Sequence, residues 1–268
     1  MGGPEAAGLM RLAGKVALVT GAARRRGIGR GMVQALADEG AAVAVNDIAA
    51  AESEGQEFVD ELKATGVRAG LYLADVSVRS EVDALISCVQ ADLGALDIVC
   101  SNAGVADWKT VAETDEATFD RIVAVNLTGA FNIGQAAAQA MVAAGRGGRI
   151  IFTSSVHAQM GFPTMSVYGA TKSAIRALCE SMAIELAPHG IRVNHIGPGW
   201  VLSQLNDPSP ALASEEITRA NLATIPIEGR AADPYELGRA AVYFASSDGD
   251  YVTGAYLRVD GGFVVGKY

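Results

Sequence analysis

Tyr168 and Lys172 stand four residues apart in the stretch VYGATKSAIRALCESM, whose composition favours helix. Four residues is about one helical turn, so both side chains point to one face. A free phenol titrates near ~10, too high for a base at neutral pH. A lysine cation about 4 Å away, at an effective dielectric near ~20, would favour the phenolate by roughly 4 kcal/mol, or about 3 pH units. Such a tyrosine could take the proton of an alcohol, or give one to a carbonyl, while a hydride moves to or from a second molecule. Ser155, thirteen residues before Tyr168, could hydrogen-bond the reacting oxygen and fix its position. A Tyr-x-x-x-Lys pair by itself is usually ordinary helix surface, so its meaning depends on what surrounds it.

The surrounding pattern alternates strand with helix. VALVT at 16–20 and AVAVN at 42–46 are continuous apolar runs, the way strands buried on both faces read. Further strands are predicted at 68–73, 96–101, 149–153, 192–196 and 256–259. Helices are predicted at 31–40, 52–65, 79–93, 167–189 and 234–246. Another, at 115–144, has a break near Asn126–Gly129. Parallel strands need crossovers of that length, and right-handed crossovers cover both faces of the sheet. The expectation is one α/β domain, a doubly wound Rossmann-type parallel sheet over 14–268. Residues 1–13 are expected to form a flexible tail. Residues 203–230, with Pro208, Pro210 and Pro226 and one short helix from Ser214, are an irregular segment over the substrate site.

The turn TGAARRRGIG at 20–29 joins the first strand to the first helix. Glycines there let a backbone approach a pyrophosphate, which the helix N-terminus attracts. Asp47 ends the second strand, where a carboxylate can accept both ribose hydroxyls of NAD and would repel the 2′-phosphate of NADP. It could instead cap a turn. Arg24, Arg25 and Arg26 pull the other way: they could bind NADP, close over a pyrophosphate, or sit in solvent.

The 268 residues carry a formal charge of −9, with half of them hydrophobic and 19% charged. That balance is globular, and it disfavours nucleic acid, anionic membrane and acidic carrier proteins as partners. Cys88, Cys100 and Cys179 are odd in number and far apart, which suits neither a disulfide framework nor a metal site and fits a reducing, cytoplasmic setting. No metal is expected, since no His, Cys and carboxylate residues share ligand spacing. No apolar stretch approaches the roughly 20 residues of a membrane span, and no signal peptide is visible.

From Gly14 to Gly262 the chain resembles the short-chain dehydrogenase/reductase family. The resemblance rests on TGAARRRGIG, Asp47, DV at 75–76, SNAG at 101–104, VN at 125–126, SS at 154–155, YGATK at 168–172, PGWVLS at 198–203 and VDGG at 259–262. It implies a cofactor loop of Gly21, Gly27, Ile28 and Gly29, with Asp47 on the adenosine ribose and Asp75 and Val76 on the adenine. Asn102 and Gly104 would support the central sheet and pass the cofactor; Pro198, Gly199, Val201 and Ser203 would bind it, Val201 by a backbone contact to its carboxamide, and Ser203 stands where the family often has Thr. Asn126 would hold a water for a proton relay, Ser155 would orient the substrate, and Tyr168 and Lys172 would form the catalytic pair, also touching the cofactor. It also implies a homo-oligomer, often a tetramer, and the alanines at 136, 137, 138 and 140 would allow close helix contact. One departure stands out. Five residues, 22–26, separate the first two glycines where the family commonly has three.

The reading that follows is an oxidoreductase interconverting a neutral secondary alcohol and a ketone with NAD, NADP being the other candidate. An NADP-linked 3-oxoacyl carrier-protein reductase is the alternative within enzymes, and a catalytically silent nucleotide-binding scaffold the alternative outside them. Met160, Met165, Trp200, Leu202 and Leu205 are expected either to wall the substrate pocket or to belong to core and contact surfaces, and His157 either to line the pocket and contact a substrate hydroxyl or to be satisfied by backbone.

Overall fold

A computed structural model describes residues 10–206 and 214–267. Seven parallel strands form a single sheet in the order β3-β2-β1-β4-β5-β6-β7. They are β1 (Val16–Thr20), β2 (Ala42–Asp47), β3 (Ala69–Leu73), β4 (Ile98–Ser101), β5 (Gly148–Thr153), β6 (Ile191–Pro198) and β7 (Tyr256–Val259). The helices between them are α1 (Ile28–Asp38), α2 (Glu52–Ala64), α3 (Arg79–Leu93), α4 (Glu116–Val123), α5 (Gly129–Ala144), α6 (Ser166–Leu186), α7 (Glu215–Leu222) and α8 (Pro234–Ala245). This is the doubly wound α/β fold read from the sequence.

Two apolar layers flank the sheet. Val19, Val43 and Val45 join α1, α2 and α8 on one face. Leu18, Val99 and Phe152 join α3, α5 and α6 on the other. Alternate residues of each strand feed the two layers, which is why the central strands read as unbroken apolar runs. Strand order reverses between β1 and β4, so the loops after these strands part and leave a crevice at their carboxyl ends.

Three expectations shift. The break in the helix at 115–144 is a π-helical turn, Ala124–Thr128, joining α4 to α5. The first helix starts at Ile28, three residues earlier than expected. The expected tail is anchored at its end: Leu12 is buried in the core, and Arg11 pairs with Glu39 at the C-terminus of α1. Residues 1–9 of that tail and 207–213 of the expected substrate segment lie outside the described residues.

Candidate active site

A cavity of about 680 Å³ opens over the carboxyl ends of the central strands. At one end stands the turn after β1. Gly21 adopts φ +62°, and a Cβ there would lie 2.7 Å from the Ala103 Cα. Only glycine fits such a left-handed, closely approached position. Gly29 is equally confined, its missing Cβ falling 2.4 Å from the Gly21 carbonyl oxygen. Gly27 precedes α1 with no side-chain cap and no acidic residue in the first turn. The helix therefore presents its first N–H groups and positive dipole end to the cavity.

The two extra residues of this turn are folded outward. Gly27 N–H donates to the Arg24 carbonyl at 2.9 Å, closing a tight turn over Arg25 and Arg26. Glu54 of α2 accepts from the Arg24 guanidinium at 2.8 Å and from the Arg25 N–H at 3.0 Å, while the Arg25 guanidinium pairs with Glu57. Arg24 lines the cavity and Arg25 is on the outside. Asp47 accepts one backbone N–H on each oxygen, from Ala23 at 3.0 Å and Ile48 at 2.9 Å, and is among the residues that line the cavity. The capping and ligand readings of Asp47 are thus compatible, since each oxygen keeps a second lone pair.

Asp75 and Val76 line the same end. Asp75 accepts both the N–H and the hydroxyl of Ser77, at 2.9 and 2.7 Å. Asn102 ties β1 to β4: its amide donates to the carbonyls of Thr20 and Gly21, at 3.0 and 3.1 Å, and its oxygen accepts from Thr153. Gly104, Pro198, Gly199, Val201 and Ser203 line the middle. A Cβ on Gly199 would lie 2.7 Å from the Asp260 Cβ, so the VDGG segment packs directly beneath that wall.

Tyr168, Lys172 and Ser155 gather at the other end, all buried and all lining the cavity. The Lys172 ammonium donates to the Thr153 carbonyl at 2.9 Å and lies 5.5 Å from the Tyr168 ring centroid. Against the pull that lysine is expected to exert on the phenol, burial acts the other way. Burial lifts the Tyr168 phenol to about 12, although a hydrogen bond with Ser155 pulls it down. Burial also pushes the Lys172 ammonium down to about 8. A dry site disfavours every isolated charge, and at Tyr168 that desolvation outweighs the hydrogen bond of Ser155.

Asn126 sits in the π turn, fully buried, and does not line the cavity. Its amide forms a two-way pair with Val105, accepting from N–H at 2.8 Å and donating to the carbonyl at 2.9 Å, and reaches the Thr171 hydroxyl at 3.3 Å. Its oxygen and the Lys172 ammonium both lie 3.4 Å from where a Gly104 Cβ would be, so Gly104 leaves the space where the two approach. His157 lines the cavity with its ring edge-on to Tyr168, centroids 5.7 Å apart. Met165 and Leu205 line it too. Met160 and Trp200 do not: they pack with Ile225 and Phe263 in a small apolar cluster to one side. Leu202 is exposed. Met160 and Trp200 thus stand in that cluster, outside the cavity's lining. Arg121, Gln204 and Asn206 also line the cavity and were not foreseen, because they lie in segments with no motif of their own.

Residues 21–264 match the family described as enoyl-(acyl carrier protein) reductase. A short-chain dehydrogenase/reductase of Armillaria gallica is 39% identical, covering 94% of this chain and 96% of its own. A hydroxynaphthalene reductase-like protein of Metarhizium majus is 38% identical over the same shares. Among solved structures, a gluconate 5-dehydrogenase from Burkholderia cenocepacia, in complex with NADP and tartrate, superposes with a TM-score of 0.88 at 33% identity, covering 96% of this chain and 98% of that one. With the glycine turn, Ser155 and the Tyr168–Lys172 pair in one crevice and Asn126 buried behind it, these likenesses place the chain in the short-chain dehydrogenase/reductase family of oxidoreductases.

Proposed function

We propose that this oxidoreductase interconverts a neutral secondary alcohol and a ketone with NAD, and that Tyr168 is its general acid/base. One observation carries the reading. A single cavity has a bare helix N-terminus and Asp47 at one end and Tyr168, Lys172 and Ser155 at the other. Its volume, about 680 Å³, suits a dinucleotide's inner part with a small substrate.

The residues present fit the cofactor. Gly21, Gly27, Ile28 and Gly29 would hold the pyrophosphate, Asp47 the ribose hydroxyls, and Asp75 and Val76 the adenine. Asn102, Gly104, Pro198, Gly199, Val201 and Ser203 would border the nicotinamide half. The bound nicotinamide supplies the acceptor or donor of hydride. Ser155 then hydrogen-bonds the substrate oxygen and holds it beside the Tyr168 hydroxyl. In oxidation the Tyr168 oxygen takes the hydroxyl proton; in reduction it returns one. A positive charge brought into this dry site favours the phenolate strongly, because water does not screen it. Asn126 fixes the backbone at Val105 and holds the π turn against α6. His157, Met165 and Leu205 shape the substrate side.

NAD is favoured over NADP because the Asp47 charge would face a 2′-phosphate, and because Glu54 and Glu57 already engage Arg24 and Arg25. Two observations favour NADP: Arg24 lines the cavity, and the Burkholderia relative is described in complex with NADP. A carrier-protein reductase fits less well, since a chain of net charge −9 repels an acidic partner. No helix among the described residues is long and apolar enough to cross a membrane. We place the enzyme in the cytoplasm, as a homo-oligomer, with a small-molecule substrate.

Fluorescence titration with NADH and NADPH side by side tests the cofactor, and tighter NADPH would overturn the Asp47 reading. A panel of secondary alcohols with each oxidised cofactor tests the chemistry. Tyr168→Phe should remove nearly all turnover, on the order of a 10³-fold loss, and leave cofactor binding intact. Surviving turnover would mean that the proton goes elsewhere.

A further inference from the structure

Tyr256 opens β7, the edge strand beside β6. The register places it opposite His195, and the two rings stack with centroids 4.7 Å apart and planes 29° from parallel. Two residues further along β6, Gly197 has no side chain; a Cβ there would fall 2.1 Å from the Tyr256 hydroxyl oxygen. The tyrosine therefore lies across β6 through the space that this glycine leaves. Its hydroxyl donates to the Ser155 carbonyl at 3.1 Å.

That carbonyl is where the sheet stops holding the chain. Ser154 N–H still donates to Ile196 of β6, at 2.8 Å, but Ser155 lies past the end of β5. One lone pair of the Ser155 carbonyl accepts the Ala158 N–H at 3.0 Å, within the local turn. The other takes Tyr256, from a strand 101 residues away in sequence. His195 is suited to brace the ring. It is fully buried, and burial pushes its imidazole down to about 4, so the ring is neutral. Neither of its nitrogens has a hydrogen-bond partner among the described residues, which suits a stacking plate and no polar role.

We propose that Tyr256 is a positioning residue. Its bond to the Ser155 carbonyl, braced by His195 and admitted by Gly197, fixes the peptide that carries the Ser155 hydroxyl against Tyr168. The inference rests on the reading of Ser155 and Tyr168 given above. Its consequence is electrostatic as well as geometric, because the Ser155 hydrogen bond draws the Tyr168 phenol down against burial. A peptide released from Tyr256 lets that bond lengthen, and the phenol then rises. The groups facing Tyr168 are Lys172 and His157; those facing the stacked pair are Arg176 and Glu180 of α6, with Arg258 and Asp260 beside Tyr256.

The test reads Tyr168 directly and needs no substrate. Difluorotyrosine, whose phenol is more acidic, is placed at position 168 of the full chain and titrated by fluorine NMR with NAD bound. Tyr256→Phe keeps the ring and the stack and removes only the hydroxyl. The titration midpoint should rise by about half a pH unit, roughly a threefold change in the proton equilibrium. The NADH dissociation constant should stay within about twofold and the melting temperature within a few degrees. His195→Phe, which keeps a stacking ring, should leave the midpoint where it is in the parent protein. An unchanged or lowered midpoint in Tyr256→Phe overturns the proposal, as does an equal rise in His195→Phe, which would trace the effect to general disturbance of the sheet. Failure of the alcohol oxidation reading would show instead in turnover, which this measurement does not use.

Discussion

Lys172 and Tyr168 are two ionisable groups held in a dry site, and their burial sets a measurable pH signature. The Lys172 ammonium loses its proton near 8 in the folded chain, against 10.5 as its ordinary value. Below pH 8 both folded and unfolded chains carry the charge, and the folded one bears the cost of burying it. Between about 8 and 10.5 the unfolded chain binds the extra proton, so stability rises with pH through that window. Lys172→Met should therefore raise the stability at pH 7, by up to roughly 3 kcal/mol, while abolishing turnover. The advantage should shrink as pH moves from 8 towards 10.5, and thermal melts across that range check the sign. A variant less stable at pH 7 would show that the bond to the Thr153 carbonyl outweighs the desolvation. Glu54 supports a second prediction at this scale. It holds Arg24 and the Arg25 N–H, so Glu54→Gln frees a cation that borders the cavity beside Asp47. NADPH binding should tighten about two- to fivefold at low salt, the worth of one exposed ion pair, with NADH little changed. Parallel titrations of both nucleotides decide it; an unchanged ratio would mean that Asp47 alone sets the choice.

α1 and α8 cross where two glycines meet, and the closeness of that crossing gives its own prediction. A Cβ on Gly238 would lie 2.3 Å from the Gly31 carbonyl oxygen and 2.7 Å from the Ala35 Cβ; one on Gly31 would strike the Pro234 carbonyl. Gly238→Ala must push α8 away from α1, at a cost of about 1–3 kcal/mol, and urea denaturation measures it. A neutral result would mean that the helices slide apart freely. The same crossing explains what the sequence could and could not convey. Strands such as β1 and β2 are legible because burial on both faces forces unbroken apolar runs. The helix begins at Ile28 but reads in sequence as starting at Gly31, because glycines read as loop until one knows that the turn at Gly21 and Ala22 and the start of α8 press against Gly29 and Gly31. The π turn showed only as a break, since the extra residue that turns Asn126 inward leaves no periodic mark. Spacing put Tyr168 and Lys172 on one helix face and the family resemblance put Ser155 with them, and the three do line one cavity; the rise of the Tyr168 phenol was not legible, because desolvation depends on what covers the site. Met160 and Trp200 flank motif residues in sequence, but neighbours along a chain point in different directions. The pairing of Arg24 with Glu54 spans thirty residues and has no local signal at all.

The exposed surface carries large apolar side chains that the single chain does not cover. Phe119 of α4, Phe131 and Val142 of α5 and Ile184 of α6 are all exposed, Ile184 at 78%. Isolated exposed apolar residues are ordinary, but several on neighbouring elements of one layer mark a contact surface. The expectation from sequence placed that contact on the alanines of α5. Ala136 and Ala137 instead face the chain's own core beside Ile133 and Met141, so they bring α5 close to the sheet. In the proposed homo-oligomer the larger residues on the outer side of the same helix would meet a second copy. Two-fold association would bury the same patch on both partners, and central aromatic residues carry most of the energy in such interfaces. Light scattering at micromolar protein should give an even multiple of the chain mass, and Phe131→Asp should lower it while cofactor binding by each chain persists. A monomer mass for the unaltered protein would remove the homo-oligomer from the proposed function, and would leave these aromatic residues as a solvent-facing surface without a partner of this kind.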